Sequence, residues 1–168
     1  MAYRVLNDNL TYANMNTDLP KVCFLHGWGG SGKDFSKIDS NFEYITFDLP
    51  GFGKSVPFQI SFSPKQYAEY LNKLIPDSVE IIVGHSFGGR VAVHLSQLKE
   101  YKKLVIIAAP LIRSKKTNNS FSIYKLFKFL NRINLISDVF LDGIKNKYGS
   151  EDYKKANKVL KDTLVMAV

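Results

Sequence analysis

Short apolar runs alternate with helical stretches over the first two thirds of the chain. Four of the runs are typical of buried strands, because each is continuous, about five residues long and closed by glycine, proline or polar residues. They are Lys21–Leu25, Tyr44–Phe47, Val79–Val83 and Lys103–Ala108. Two further short stretches, Tyr3–Leu6 and Leu10–Ala13, flank an Asn-Asp-Asn turn and indicate a hairpin.

Helical segments lie between the predicted strands. A short helix is predicted near Lys33–Ile38, and a longer one begins with a capping box of Ser63 and Gln66 and runs to about Ile75. A third follows the glycine-rich turn at residues 84–89 and extends to about Lys99. This alternation predicts an α/β fold, with a mostly parallel sheet flanked by helices and joined by right-handed crossovers.

The pattern changes after Pro110, where no further strand is predicted. Residues 113–120 are polar and indicate a loop, and helical stretches follow near 123–133, 135–147 and from 151 onward. We therefore expect a core domain at 1–110 and a helical segment at 111–168. The last helix continues to residue 168 without a glycine, proline or polar terminator, so we expect a truncated chain.

The net charge of +8 belongs to the last third of the sequence. Residues 1–100 hold 9 Lys/Arg and 10 Asp/Glu, whereas residues 101–168 hold 14 and 5. A surface for nucleic acid or anionic lipid is one interpretation. A solvated helical face is favoured, because the lysines interleave with apolar residues at helical spacing. We therefore expect no nucleic-acid partner and no stable membrane insertion.

Targeting signals are not found in the sequence. The start has no apolar core of signal-peptide length, and no stretch approaches the roughly 18 apolar residues of a membrane span. The lone Cys23 sits in an apolar run and indicates a buried thiol. These observations predict a cytoplasmic protein.

The pentapeptide Gly84-His85-Ser86-Phe87-Gly88 matches G-x-S-x-G between a predicted strand and a predicted helix. A serine on such a sharp turn is held in strained backbone geometry, and Gly84 and Gly88 supply the room that the strand and helix need. The turn also aims a helix N-terminus at the site, where backbone N–H groups stabilise developing negative charge. Ser86 is therefore the candidate nucleophile.

A second motif, His26-Gly27-Trp28-Gly29-Gly30, follows the first parallel strand, where an oxyanion hole needs a free N–H. The backbone N–H groups of Trp28 and Phe87 are predicted to hold the oxyanion of a tetrahedral intermediate. For His26 we favour a role in shaping the loop through backbone hydrogen bonds over a role as catalytic base. The residues expected to shape the site are His26, Gly27, Gly84, His85 and Gly88.

These two motifs, together with Asp48-Leu49-Pro50-Gly51-Phe52-Gly53-Lys54-Ser55, resemble the oxyanion loop, the nucleophile elbow and an intervening loop of the α/β-hydrolase superfamily. The chain looks most like small carboxylesterases, haloperoxidase-like enzymes and carbon–carbon bond hydrolases. The resemblance implies an α/β-hydrolase fold with a helical cap in 111–168. It also implies hydrolysis of a carboxylic ester of a small substrate through an acyl-enzyme on Ser86. A serine at this position argues against the dehalogenase and epoxide-hydrolase branches.

The family carries its catalytic acid and histidine on strands beyond the cap, and we expect both to be absent from this chain. The three histidines, His26, His85 and His94, do not occupy the family's position for the base. The fold is then incomplete on its C-terminal side. Its edge strand, Lys103–Ala108, is expected to pair with a second copy or with a complementing segment.

Two other interpretations remain at this stage. A hydrolase fold without its base is also consistent with a binding module or a fragment. The stretch Gly27–Lys33 fits G-x-x-x-x-G-K, but Asp34 follows where a phosphate-binding loop needs Ser or Thr for Mg²⁺. No Cys/His cluster or dinucleotide fingerprint is present, so we expect no metal and no cofactor.

Overall fold

The computed structural model describes residues 2–37, 41–111 and 156–167. Six strands are present: β1 (Ala2–Val5), β2 (Tyr12–Met15), β3 (Val22–Leu25), β4 (Tyr44–Phe47), β5 (Ile81–His85) and β6 (Lys103–Ile107). The described helices are α1 (Pro64–Leu71), α2 (Phe87–Leu98) and α3 (Lys158–Ala167), with a short 3-10 helix at Gly32–Phe35.

The six strands form one mixed sheet in the order β1-β2-β4-β3-β5-β6. The hairpin β1–β2 joins the sheet antiparallel to β4, and every later pairing is parallel. The predicted mostly parallel sheet flanked by helices is therefore confirmed. The parallel strands carry continuous apolar sequence because β3 and β4 are buried along their whole length.

The structure shifts several boundaries that the sequence pattern predicts. The second hairpin strand is Tyr12–Met15 rather than 10–13, and the short helix is Gly32–Phe35 rather than 33–38. β5 runs from Ile81 to His85 rather than over 79–83, because its pairing with β3 begins at Val22 opposite Ile81. Val79 instead closes a turn through a hydrogen bond from its N–H to the carbonyl of Pro76. The α1 helix ends at Leu71 rather than near residue 75, because the next residues form tight turns back to the helix end.

Two apolar clusters cover opposite faces of the sheet. The larger one packs α1 and α2 against one face and contains Leu25, Phe47, Leu71, Leu95 and the fully buried Cys23. The smaller one lies on the other face and contains Val22, Phe24, Tyr44 and Val83, with Phe35 of the 3-10 helix against it. The parallel pairing of β3 with β4 and with β5 places the carboxyl ends of these three strands side by side.

Residues 1–112 and 158–168 belong to one compact unit. Within it, α3 places Ala167 in the larger cluster, and the Thr163 hydroxyl accepts a hydrogen bond from the N–H of Phe62 at 3.2 Å. The helices predicted at 123–133 and 135–147 lie outside the described residues, so the division at 110/111 stays a prediction. Over the described ranges, no helix is long and apolar enough to cross a membrane.

Candidate active site

Ser86 lies at the turn between β5 and α2 with strained backbone geometry. Its φ of 50° and ψ of −111° fall in a region that side chains other than glycine rarely adopt. A hydrogen bond of 2.9 Å from its N–H to the carbonyl of Ile107 anchors the turn to β6. The strained serine that the G-x-S-x-G motif predicts is therefore present at the carboxyl end of β5.

Glycines around Ser86 allow α2 to approach the sheet closely. A Cβ at Gly84 would lie 2.5 Å from the carbonyl oxygen of Gly88, and a Cβ at Gly88 would collide with the carbonyl oxygens of Leu25 and His26. The N–H of Gly88 uses this proximity to donate to the His26 carbonyl at 3.1 Å. The elbow is thereby joined directly to the end of β3.

The peptide between Gly27 and Trp28 has a fixed orientation. The Gly27 carbonyl accepts hydrogen bonds from Nδ1 of His26 at 2.7 Å and from the N–H of Gly30 at 3.1 Å. The peptide is trans, so the Trp28 N–H points away from this carbonyl. Neither the Trp28 N–H nor the Phe87 N–H has a hydrogen-bond partner among the described residues.

His26 is fully buried and both of its ring nitrogens are engaged. Nδ1 faces the Gly27 carbonyl, which can only accept, while Nε2 accepts from the Leu49 N–H at 2.9 Å. The ring is therefore neutral with its proton on Nδ1. Burial lowers the pKa of His26 below its usual 6.5, against the opposing effects of the Gly27 hydrogen bond and of nearby Asp34 and Asp48. With both nitrogens occupied, His26 has no lone pair left to take a proton from Ser86.

Asp48 is a buried carboxylate that begins one of the three sequence motifs but to which the sequence alone assigns no role. It accepts hydrogen bonds from the Tyr3 hydroxyl and from the N–H groups of Gly32 and Lys54, each at 2.8 Å. It thus ties the loop after β3 to the loop after β4. The signal that could have found it is an acidic residue at the end of a buried strand, directly before Leu49-Pro50-Gly51.

Aromatic rings surround the two candidate N–H donors. The Trp28 ring packs edge-on against Phe52 and Phe87, with ring centroids 5.0 Å and 5.4 Å apart. Phe87 in turn meets Tyr67 of α1 at 5.2 Å. The side chains of Phe52, Tyr67 and Phe87 are buried. The environment next to Ser86 is therefore largely apolar.

The other two histidines differ in their surroundings. His85 is exposed and lies beside Gly27, where a Cβ would come within 2.8 Å of its Nδ1. His94 lies two turns along α2, where its Nδ1 is 3.4 Å from Oε1 of Gln97. In the part of the chain that the structure describes, no hydrogen bond joins the Ser86 side chain to a histidine, and no three His, Cys, Asp or Glu side chains are grouped to hold a metal ion.

Comparison with known proteins shows the family to which the chain belongs. The model of the alpha/beta hydrolase family matches residues 24–154, which is more than half of the chain. The chain belongs to the alpha/beta hydrolase family. This assignment agrees with the fold and with the resemblance carried by the three sequence motifs.

Individual relatives of this alpha/beta hydrolase include esterases. The pimeloyl-(acyl-carrier protein) methyl ester esterase of Pseudoalteromonas atlantica is 35% identical over 98 residues, which cover 53% of this chain and 37% of the relative. A solved esterase of M. tuberculosis is 26% identical with a TM-score of 0.55, over 62% of this chain and 39% of the other. The thioesterase domain of the curacin biosynthetic pathway is 19% identical and shares the fold with a TM-score of 0.59, over 80% of this chain and 54% of that domain.

The alpha/beta hydrolase described here spans less than half the length of the pimeloyl esterase and of the M. tuberculosis esterase. The structure brings all of the predicted site residues together at the carboxyl ends of β3 and β5: His26, Gly27, Trp28, Gly84, His85, Ser86, Phe87 and Gly88.

Proposed function

We propose that this chain carries the nucleophile and the oxyanion hole of a serine esterase. In this proposal the Ser86 hydroxyl attacks the carbonyl of a carboxylic ester, the alcohol leaves, and water then hydrolyses the acyl-enzyme. The observation that carries the proposal is the backbone of Ser86, with φ 50° and ψ −111° between β5 and α2. Strain of about 1–3 kcal/mol persists in folded proteins mainly where function requires it.

The oxyanion hole is proposed to consist of the N–H groups of Trp28 and Phe87. Both lack a hydrogen-bond partner among the described residues, although each belongs to a segment that is otherwise anchored by hydrogen bonds. The N-terminus of α2 adds its partial positive charge at the same place. One such donor contributes about 3–4 kcal/mol to lowering the barrier of an acyl transfer.

The substrate class follows from the apolar surroundings and from the relatives. The rings of Trp28, Phe52 and Phe87 favour an apolar acyl group over a charged one. The name of the Pseudoalteromonas atlantica relative describes a methyl ester esterase, which supports an ester as the substrate. We propose a carboxylic ester of a small molecule.

The catalytic base is proposed to come from outside the described residues. His26 is fully engaged in backbone hydrogen bonds, and no other histidine is bonded to Ser86 within the described part. Added imidazole can replace such a base in solution. The test is therefore the rate at which a fluorophosphonate probe labels the chain, with and without imidazole, followed by peptide mapping.

Labelling is expected at Ser86, with a rate that rises with imidazole concentration and falls to background in Ser86→Ala. The control variant is Ser96→Ala, since the exposed Ser96 hydroxyl donates to the Val93 carbonyl within α2 and lies two turns and more from Ser86 along the helix. Its labelling should equal that of the unmodified chain. Full labelling of Ser86→Ala would contradict the assignment of the nucleophile.

A binding or regulatory module is the second candidate function. It is favoured by the absence, among the described residues, of a histidine bonded to Ser86. A chain that binds ester substrates without labelling or turnover, even with imidazole, would support this candidate over the esterase.

A further inference from the structure

The loop over residues 48–55, which follows β4, closes around the side chain of Asp48. This carboxylate is buried and accepts a hydrogen bond from the Lys54 N–H at 2.8 Å, while the Asp48 carbonyl accepts from the Ser55 hydroxyl at 2.6 Å. A Cβ at Gly53 would collide with the carboxylate, so the loop can close this tightly only with glycine there. The loop is therefore built around one buried negative charge.

The same carboxylate also holds the segment that follows β3. Its Oδ1 accepts from the N–H of Gly32, where the 3-10 helix begins, and from the Tyr3 hydroxyl of β1, each at 2.8 Å. With the Lys54 N–H, three donors converge on Asp48. An ionised carboxylate suits this position because it only accepts hydrogen bonds and has sites for all three. Asparagine would turn an N–H₂ group, itself a donor, toward one of them.

Residues 26–31 lead from β3 to the 3-10 helix and carry the Trp28 N–H, one of the two proposed oxyanion donors. The start of this segment is fixed where the His26 carbonyl accepts from the N–H of Gly88 at 3.1 Å. Its end is fixed where Gly32 donates to Asp48. The Trp28 N–H therefore lies between two anchors, and the second anchor depends on the carboxylate.

The loop over 48–55 also supports residues 26–31 from the side. The Leu49 N–H, next to Asp48 in the sequence, donates to Nε2 of His26 at 2.9 Å. The Phe52 ring packs edge-on against Trp28, with ring centroids 5.0 Å apart. Both contacts require the closed shape of the loop, which the Asp48 carboxylate maintains. Loss of the carboxylate would therefore release Trp28 at the end of its own segment and at its side.

We propose that Asp48 is a positioning residue for the oxyanion hole. The inference rests on the proposed function, because it takes the N–H groups of Trp28 and Phe87 as the two donors. Asp48 positions only the first of them. The second is set by the turn at Ser86, which none of the hydrogen bonds of Asp48 among the described residues reaches. Removing the carboxylate should therefore misplace one donor and leave the other in place.

The test uses the fluorophosphonate adduct of the ¹⁵N-labelled chain. In the labelling step the Ser86 oxygen bonds to phosphorus, fluoride leaves, and imidazole takes the hydroxyl proton. The phosphoryl oxygen of the adduct then lies where an oxyanion would, so both donor N–H protons should shift downfield. In Asp48→Asn the labelling rate should fall about tenfold to a hundredfold, with the downfield shift lost at Trp28 and kept at Phe87.

Asp8→Asn is the matched control. The Asp8 carboxylate likewise accepts from a tyrosine hydroxyl and from backbone N–H groups, but none of these donors belongs to residues 26–31 or 48–55. This variant should lose stability yet label at the unmodified rate, with both downfield shifts present. A milder pair is Tyr3→Phe and Tyr70→Phe, each of which removes one hydroxyl donor from its carboxylate. Tyr3→Phe should slow labelling a few-fold, roughly the effect of one lost hydrogen bond, and Tyr70→Phe should not.

A folded Asp48→Asn chain that labels at the unmodified rate would overturn the proposal. Loss of the downfield shift at Trp28 and Phe87 together would overturn it as well, because it would indicate a general collapse of the elbow. If Asp48→Asn does not fold, the tyrosine pair decides, and equal labelling by Tyr3→Phe and Tyr70→Phe would contradict the role of Asp48.

Failure of the esterase proposal has a different outcome, since the unmodified chain would then not be labelled at Ser86. The hold of Asp48 on residues 26–31 is then measured by hydrogen exchange of the Gly30 N–H, which donates to the Gly27 carbonyl at 3.1 Å. This N–H should exchange faster in Asp48→Asn than in Asp8→Asn. Equal exchange in the two variants would show that Asp48 does not position the segment.

Discussion

Single glycine positions test how α2 is held against the sheet. Gly88 lies in the first turn of α2, where helix propensity alone predicts that alanine stabilises by about 1 kcal/mol. The Leu25 and His26 carbonyls occupy the space that its Cβ would need, and backbone cannot give way cheaply. We expect Gly88→Ala to destabilise by about 1–3 kcal/mol, measured by urea unfolding.

Gly29 is the matched control for Gly88. Its φ is 72°, but no atom lies within 4 Å of a Cβ built there. Gly29→Ala should therefore cost only the backbone strain of about 1–2 kcal/mol. Because the clash at Gly88 also displaces the elbow, only Gly88→Ala should abolish fluorophosphonate labelling. If Gly88→Ala were more stable than the unmodified chain, α2 would have to lie further from β3 than the structure places it.

The two hydrogen bonds of the His26 ring can be tested separately by two substitutions. Asparagine places its amide N–H₂ near the position of Nδ1 and can keep the bond to the Gly27 carbonyl, whereas glutamine reaches toward the Leu49 N–H instead. Both should lose about 1–2 kcal/mol of stability, since one buried partner is left unpaired in each. Only His26→Gln releases the Gly27 peptide, so it should reduce the imidazole-assisted labelling rate far more than His26→Asn.

The pH dependence of the stability of the unmodified chain, together with the ¹⁵N shifts of the ring, tests whether His26 is neutral with its proton on Nδ1. The pKa of His26 is lowered in the folded state, so its contribution to stability is complete above 6.5 and is lost as the pH falls through the folded value. A His26 ring whose ¹⁵N shifts show the proton on Nε2 at neutral pH would contradict the hydrogen-bond scheme.

At the scale of elements, Asp8 ties the β1–β2 hairpin to α1. Its carboxylate accepts hydrogen bonds from the Thr11 hydroxyl at 2.6 Å and from Tyr70 of α1. Burial raises the pKa of Asp8, but these bonds and two from backbone N–H groups outweigh burial and lower it from 3.8 to about 2. The stabilisation is therefore complete above pH 3.8 and is lost as the pH falls toward 2.

Asp8→Asn should remove this pH dependence and destabilise the chain by about 1 kcal/mol at neutral pH, measured by thermal unfolding at pH 7 and pH 3. Asp18→Asn is the control, because Asp18 pairs with Arg4 through a side chain that is 84% exposed. If the stability of the two variants changed equally between pH 7 and pH 3, Asp8 would not be the residue that ties the β1–β2 hairpin to α1.

Some elements could be predicted because they carry a local signal, either a short buried run closed by turn residues or a helix cap. Tyr44–Phe47 and the capping box of Ser63 and Gln66 match the structure, because local sequence alone sets them. The register of β5 could not be predicted, since an apolar run does not indicate which residue meets Val22. The end of α1 shifted from about residue 75 to Leu71, because turns back to the helix end rather than periodicity decide it, whereas the predicted end of α2 near Lys99 agrees with the structure.

Some features of the candidate active site could also be predicted from the sequence and others could not. The strained turn at Ser86 follows from local glycine spacing and could be predicted. The carboxylate of Asp48 could not, because its donors come from Tyr3, Gly32 and Lys54, which the sequence does not place together.

At the scale of the whole molecule, β6 is the edge of the described sheet. It pairs with β5 on one side, and Leu104, Val105 and Ile107 are 38%, 41% and 46% exposed. An apolar edge with unpaired backbone groups favours pairing with another chain. We expect the 168-residue chain to form dimers or larger species at micromolar concentrations, observed by analytical ultracentrifugation.

Lysine on this edge should oppose such pairing. Val105→Lys with Ile107→Lys is expected to shift the chain toward monomer, whereas Val165→Lys on the exposed surface of α3 should not. A monodisperse monomer of the unmodified chain would contradict the expectation. Association that persists undiminished in the double variant would assign it to another surface.

The burial of Cys23 has a practical consequence for such measurements. It is the only cysteine in the sequence, it is fully buried in β3, and burial raises the pKa of its thiol far above the usual value. A maleimide dye will therefore leave the folded chain unmodified, and a cysteine introduced at position 105 or 165 will carry the only label. Each molecule then carries one spin label or fluorophore, so a distance between two labels is a distance between two associated chains. No native thiol has to be removed first.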